Sequence, residues 1–192
     1  MSRTTGARRL IGIVGPPGVG KSTYAAQLVA ASPIPAVALG MDGFHLPQAR
    51  LVELARRERM GAPDTFDVPG FVSTLRAVRE DREPVRAPLF DRDLEEAVPD
   101  ALLIGPRIRT VYVEGNYLLH DSDGWEQVAP LLHETIYLEL DPALRRERLI
   151  ARHIAFGKTP DAARAWALGP DERNAALIAE SRHRATRVVE LD

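Results

Sequence analysis

Gly15-Pro16-Pro17-Gly18-Val19-Gly20-Lys21-Ser22 is the stretch that decides the fold. It fits the pattern G-x-x-x-x-G-K-[ST], and its setting matters as much as its letters. Before it stands a short apolar run, Leu10–Val14, with the composition of a buried strand. After it, a helical pattern runs from about Lys21 to Ala31. Glycines let the backbone curl so that successive N–H groups point at phosphate oxygens, and the following helix adds the positive end of its dipole. Lys21 supplies a mobile positive charge for β- and γ-phosphates, and the Ser22 hydroxyl is placed to ligate Mg²⁺. With Thr23 directly behind, these residues form the expected triphosphate-binding loop. The lysine is informative through its rarity. Lys21 and Lys158 are the only lysines among 25 basic residues, and the other 23 are arginine. Where this chain merely needs positive charge, it uses arginine.

The chain has 192 residues, 45% hydrophobic and 27% charged, which predicts one soluble domain over residues 1–192 with room for a full core. A net charge of −2 supplies no global field for nucleic acid or an anionic membrane. There is no cysteine. That excludes disulfides, zinc ribbons, iron–sulfur clusters and thiol nucleophiles together. No stretch approaches the roughly 18 apolar residues of a membrane span. The apolar segment near the start breaks at Pro16 and Pro17, too early for a signal sequence. The expected location is the cytoplasm.

Apolar β-type runs alternate with helical patterns, as in an α/β protein with a parallel sheet. Ala36–Leu39, Thr110–Val113, Thr135–Leu140 and Arg187–Leu191 read as further strands. Helices are expected over Gln48–Met60, after Pro69 with Phe71, Leu75 and Val78 on one face, from near Trp125, from near Pro142, and over Asp171–Arg182. Val85–Phe90 and Ala101–Ile104 predict a small antiparallel excursion, with Pro99 and Gly105-Pro106 as its turn-forming residues. The expectation is a three-layer αβα fold of the P-loop NTPase type with a mostly parallel five-stranded sheet. An acceptor lobe occupies about residues 43–106, and a lid about 145–160.

Asp42 falls directly after the second strand, where ligands of a parallel sheet collect. A carboxylate there can accept the proton of an attacking hydroxyl, although an Asp-Gly pair is also an ordinary turn former. Glu114 ends an apolar strand, the second place where such a fold coordinates Mg²⁺. A solvent-facing acid is the alternative. Arg145, Arg148 and Arg152 share one helical face, which suits the spreading charge of a phosphoryl transition state or, alternatively, a solvated surface. No two of the five histidines stand four residues apart, so a zinc helix is unsupported; His45 is expected to contact substrate. The guanine-reading segment [NT]-K-x-D is absent, which favours ATP. A compact phosphotransferase is the leading reading, and a nucleotide-sensing ATPase acting through a protein partner is the alternative.

With Asp42-Gly43-Phe44-His45 and Glu114-Gly115-Asn116-Tyr117 beside the phosphate loop, the chain resembles the phosphoribulokinase, uridine kinase and pantothenate kinase family of P-loop kinases. It looks most like its short bacterial members, labelled nucleoside/nucleotide kinase or fructose transport system kinase. Gly61-Ala62-Pro63-Asp64-Thr65-Phe66-Asp67 is similar to the Gly-x-Pro-x-x-Tyr-Asp stretch of pantothenate kinases, with Phe66 where their tyrosine stands. The resemblance implies ATP and Mg²⁺ as cofactors and transfer to a hydroxyl of a small polar metabolite: a sugar, a nucleoside or a pantothenate-like alcohol. It implies an acceptor-side role for Asp42, a metal or acceptor role for Glu114, and a lid role for Arg148 to His153. It turns Phe66, Asp67, Arg92, Tyr117 and Asn174 toward the acceptor. No nucleic acid or membrane partner is expected, and the oligomeric state, a homodimer included, is left open.

Overall fold

Leu10, Ile13 and Val14 are fully buried because their strand runs through the middle of a sheet covered on both faces. The computed structural model describes residues 8–91 and 94–192. The chain runs β1 (Arg9–Val14), α1 (Lys21–Ala31), β2 (Ala36–Gly40), α2 (Gln48–Glu53), α3 (Val68–Glu80), β3 (Val85–Asp91), β4 (Glu96–Ile104) and β5 (Thr110–Gly115). It continues through β6 (Glu134–Glu139), α4 (Pro142–Ala155), α5 (Pro160–Leu168), α6 (Pro170–Glu180) and β7 (Arg187–Glu190). Five strands lie side by side in the order β2-β5-β1-β6-β7, all parallel. The expected α/β architecture is thus observed.

The two sheet faces are filled differently. Ile11, Ile13, Ile136 and Leu138 pack with Val19 of the phosphate loop and Ala25 of α1. On the other face Leu10, Val111 and Val113 share a core with Phe71, Leu75 and Val78 of α3 and with Trp125. All strands being parallel, their carboxyl ends lie along one edge. The register sets Val14 opposite Gly115, and Gly40 opposite Glu114. The phosphate loop, the residues after β2 and the end of β5 are therefore neighbours.

Several expectations are corrected. The helix from Gln48 stops at Glu53, not at Met60. Ala55 adopts φ 53°, and the N–H groups of Arg56 and Ala55 donate back to the carbonyls of Leu51 and Val52, the Schellman way of ending a helix. The turn brings Arg56 and Arg59 onto Asp64, at 3.1 and 2.6 Å. Near Trp125 only two short 3₁₀ turns form, 125–127 and 129–131, because Trp125 is fully buried and Pro130 interrupts further winding. Helix α5 has no counterpart among the expected helices; Thr159 caps it by accepting from the Ala162 N–H, with Pro160 in its first turn.

The antiparallel excursion is present as β3 and β4. Pro99 lies within β4 and not at a turn. The ladder slips between Ala87 and Leu89, beside Pro88, so prolines that cannot donate fall at the irregular stretch of a two-stranded ribbon. The hairpin is seated against the turn after β2: a side chain at Gly43 would place Cβ 2.5 Å from the Pro88 carbonyl oxygen. Arg8, fully buried, ties the other end together. It donates to the carbonyls of Val78, Gly105 and Ile108 and pairs with Asp81 at 2.5 Å. Among the described residues no helix is long and apolar enough to cross a membrane.

Gly43→Ala tests the hairpin contact. Overpacking against backbone costs about 1–3 kcal/mol, and a chain of this size loses about 2–4 °C of Tm per kcal/mol. Thermal unfolding should show a drop of several degrees; an unchanged Tm would mean that the hairpin shifts freely.

Candidate active site

Gly18 has φ 82°, in the left-handed region, and a Cβ there would lie 2.7 Å from Leu149 Cδ1 and 3.0 Å from the Arg145 carbonyl oxygen. Helix α4 is therefore packed directly on the phosphate loop. Arg145 is buried, donates from Nη1 to the Pro17 carbonyl at 3.0 Å and pairs through Nη2 with Glu172 of α6. Within the expected lid segment 145–160, Arg145 and Leu149 are thus packed against the loop. The more exposed end of the segment, with Ile154 and Phe156 41% and 45% exposed, lies beyond that contact.

Lys21 Nζ donates to the carbonyls of Gly15 and Pro16, at 2.8 and 3.1 Å. Burial pushes its pKa down to about 8; Glu114 and Asp42 oppose the shift, and Arg152 and Arg145 add to it. The Ser22 hydroxyl donates to Glu114 Oε1 at 2.9 Å. Val19 faces the core, while Pro17, Gly18, Gly20, Lys21, Ser22 and Thr23 line a cleft with Asp42, Asn116, Glu114, Arg148 and Arg152. Hydroxyl and carboxylate oxygens side by side suit Mg²⁺. Among the described residues no three His, Cys, Asp or Glu side chains gather as a metal cage.

A second cleft adjoins the first. It is lined by His45, Phe66 and Phe90 on one side and by His153, Lys158, Trp166, Asp171 and Asn174 on another. The His45 ring lies 4.0 Å from Phe66 and 5.1 Å from Phe90, and its Nδ1 donates to the Asp42 carbonyl at 2.8 Å. Pro17, Asp42, Asn116 and Arg152 line both clefts.

The predicted residues do not all converge. Asp42, His45, Phe66, Arg152 and Asn174 line the second cleft, and Arg148 lines only the first. Asp67 is exposed and caps α3, accepting from the Gly70 N–H at 3.0 Å. Tyr117 is buried and donates to the Gly61 carbonyl at 2.6 Å, so it props a wall residue from behind. Burial holds its hydroxyl far above the usual phenol range. Arg92 lies outside the described residues. Asn116, His153, Lys158, Trp166 and Asp171 are cleft residues that the sequence reading did not assign. For Asn116 a signal existed, its place two residues after Glu114 at a strand end. The others come from α4–α6, whose packing no local pattern announces.

No family model matches the chain. It is 36% identical over 152 residues to an ATP-dependent kinase-like protein of Aspergillus versicolor, covering 74% of this chain and 88% of that one. It is 35% identical over 162 residues to a Schizosaccharomyces pombe protein provisionally named a uridine kinase, 78% of this chain and 68% of that one. The crystal structure of a Silicibacter protein, provisionally named a fructose transport system kinase, superimposes with a TM-score of 0.89 at 38% identity, covering 98% of this chain and 93% of that one.

The depressed Lys21 pKa predicts a pH signature. If its ammonium holds phosphate, charge is lost as pH rises through about 8, and triphosphate affinity should fall about tenfold between pH 7 and pH 9. Lys21→Met should bind weakly with a flat profile. Calorimetric titration across that range checks both, and a wild-type Kd constant with pH would remove the ammonium from phosphate binding.

Proposed function

Because this chain belongs to the P-loop small-molecule kinases, the group of phosphoribulokinase, uridine kinase and pantothenate kinase, we propose that it moves the γ-phosphate of ATP to a hydroxyl of a small polar metabolite. A sugar, a nucleoside or a pantothenate-like alcohol fits that description. The observation that carries this reading is the junction of the two clefts at Pro17, Asp42, Asn116 and Arg152. A protein that only sensed or hydrolysed a nucleotide would have no need for a second lined cleft opening onto the first.

The steps follow from the side chains. The loop amides and Lys21 hold the phosphates, and the positive end of α1 favours their charge. Ser22 and Glu114 are the residues that would hold Mg²⁺, which when bound neutralises charge on the β- and γ-oxygens. Asp42 accepts the proton of the acceptor hydroxyl as its oxygen bonds to the γ-phosphorus, while the bond from that phosphorus to the bridging oxygen breaks and ADP leaves. Arg152 at the junction and Arg148 beside the loop meet the charge that spreads over the transferring oxygens. On this reading the acceptor is a diffusible cytoplasmic metabolite.

Asp42→Asn keeps the side chain's size and removes its capacity to take a proton. In a coupled ADP-release assay against sugars, nucleosides and pantothenate, kcat should drop by about 10²–10⁴, with nucleotide affinity nearly unchanged. Transfer at the wild-type rate combined with a collapse of nucleotide binding would move Asp42 to the metal site and overturn the base assignment.

A further inference from the structure

Lys158 is one of two lysines in a chain that otherwise uses arginine for positive charge. Lys21 has its role in the phosphate loop; Lys158 lines the acceptor cleft and not the phosphate cleft. It is half-buried, whereas residues 154–157 before it and 159–161 after it are exposed. Its backbone is fixed, since its N–H donates to the His153 carbonyl at 3.1 Å across the turn made by Gly157. Its Nζ stands 5.0 Å from the centre of the Trp166 ring, a contact that holds the ammonium without neutralising it.

The other charges of the cleft are accounted for. Arg57 meets Glu95 at 3.4 Å, and His153 meets Asp171 at 2.8 Å. Asp42 and Arg152 stand at the junction with the phosphate cleft. Among the described residues Lys158 has no carboxylate within ion-pair distance. The cleft thus has a proton acceptor at one end, an aromatic wall of His45, Phe66 and Phe90, and an uncompensated cation on α4–α5.

From this arrangement we infer that Lys158 is a specificity-determining residue that reads an anionic group, carboxylate or phosphate, on the hydroxylated acceptor. The inference rests on the transfer reading above and narrows it. An acceptor with a hydroxyl at Asp42 and an anion at Lys158 spans the cleft, with its apolar part against the rings. Lysine suits this task because its ammonium is a compact point charge on a stem that the Trp166 face supports.

Matched pairs that differ in one anionic group test it: pantothenate against pantothenol, and ribose 5-phosphate against ribose. Wild-type protein should favour the anionic member of an accepted pair in kcat/KM, and the pair that responds tells carboxylate from phosphate. Lys158→Met, which keeps the stem on Trp166, should shrink that preference by about 10–100-fold through KM, and Lys158→Arg, which keeps the charge but not its compact shape, should retain part of it. A thermal melt confirms that each variant is folded. Preference for the neutral members, or a preference that Lys158→Met leaves intact, would overturn the inference while leaving transfer standing. If no member is phosphorylated, calorimetric binding of pantothenate and ribose 5-phosphate in the presence of a non-hydrolysable ATP analogue decides. Binding that weakens tenfold or more in Lys158→Met would support anion reading and count against the transfer reading; absent or unchanged binding would overturn the inference.

Discussion

The missing side chain of Gly18 is what the two clefts depend on. Leu149 and the backbone of Arg145 stand where its Cβ would be, so α4 rests on the phosphate loop with no spacer. Once α4 is seated, Arg148 and Arg152 line the phosphate cleft without further cost. The same contact reaches α6, because Arg145 and Arg146 both hold Glu172. Seating α6 sets Asp171 and Asn174 in the wall of the second cleft and brings Asp171 to His153. A charge as buried as Arg145 is tolerable only when its partners are complete. Here the Pro17 carbonyl and the Glu172 carboxylate complete them, so the loop is itself part of what keeps α4 in place.

Electrostatically the phosphate cleft is a standing contradiction. Burial pushes Lys21 toward neutrality, Glu114 and Asp42 counter it only in part, and Arg152 and Arg145 add a smaller push of their own. Such a site holds its positive charge at a cost in the free protein, and bound phosphate offsets the lost solvation. Strain of this kind is a common mark of groups oriented for charge that arrives with a ligand.

The fold was legible where the information is local. The phosphate loop, the β-branched run at Thr110–Val113 and the apolar face of α3 each fall within a dozen residues, and each is found where its pattern indicates. Asp42 and Glu114 were legible for the same reason, as acids at strand ends. What escaped was set by packing. Ala55 in a left-handed conformation has no sequence signature, since glycine is the usual residue there. Asp67 and Tyr117 were placed at the acceptor by resemblance, yet one caps a helix and the other braces Gly61. The second cleft draws on residues near 45, 66, 90, 116, 153 and 174, and no window of sequence contains more than a fragment of it.

The strand order also bears on how the chain matures. The phosphate loop is presented by β1, which lies between β5 and β6, and its ladder partners are residues 110–115 and 134–137. Until those segments are in place, β1 lacks both of its ladder partners. Pairings this distant in sequence make folding slow and leave intermediates open to aggregation. The nucleotide site therefore depends on pairings between segments far apart in the sequence.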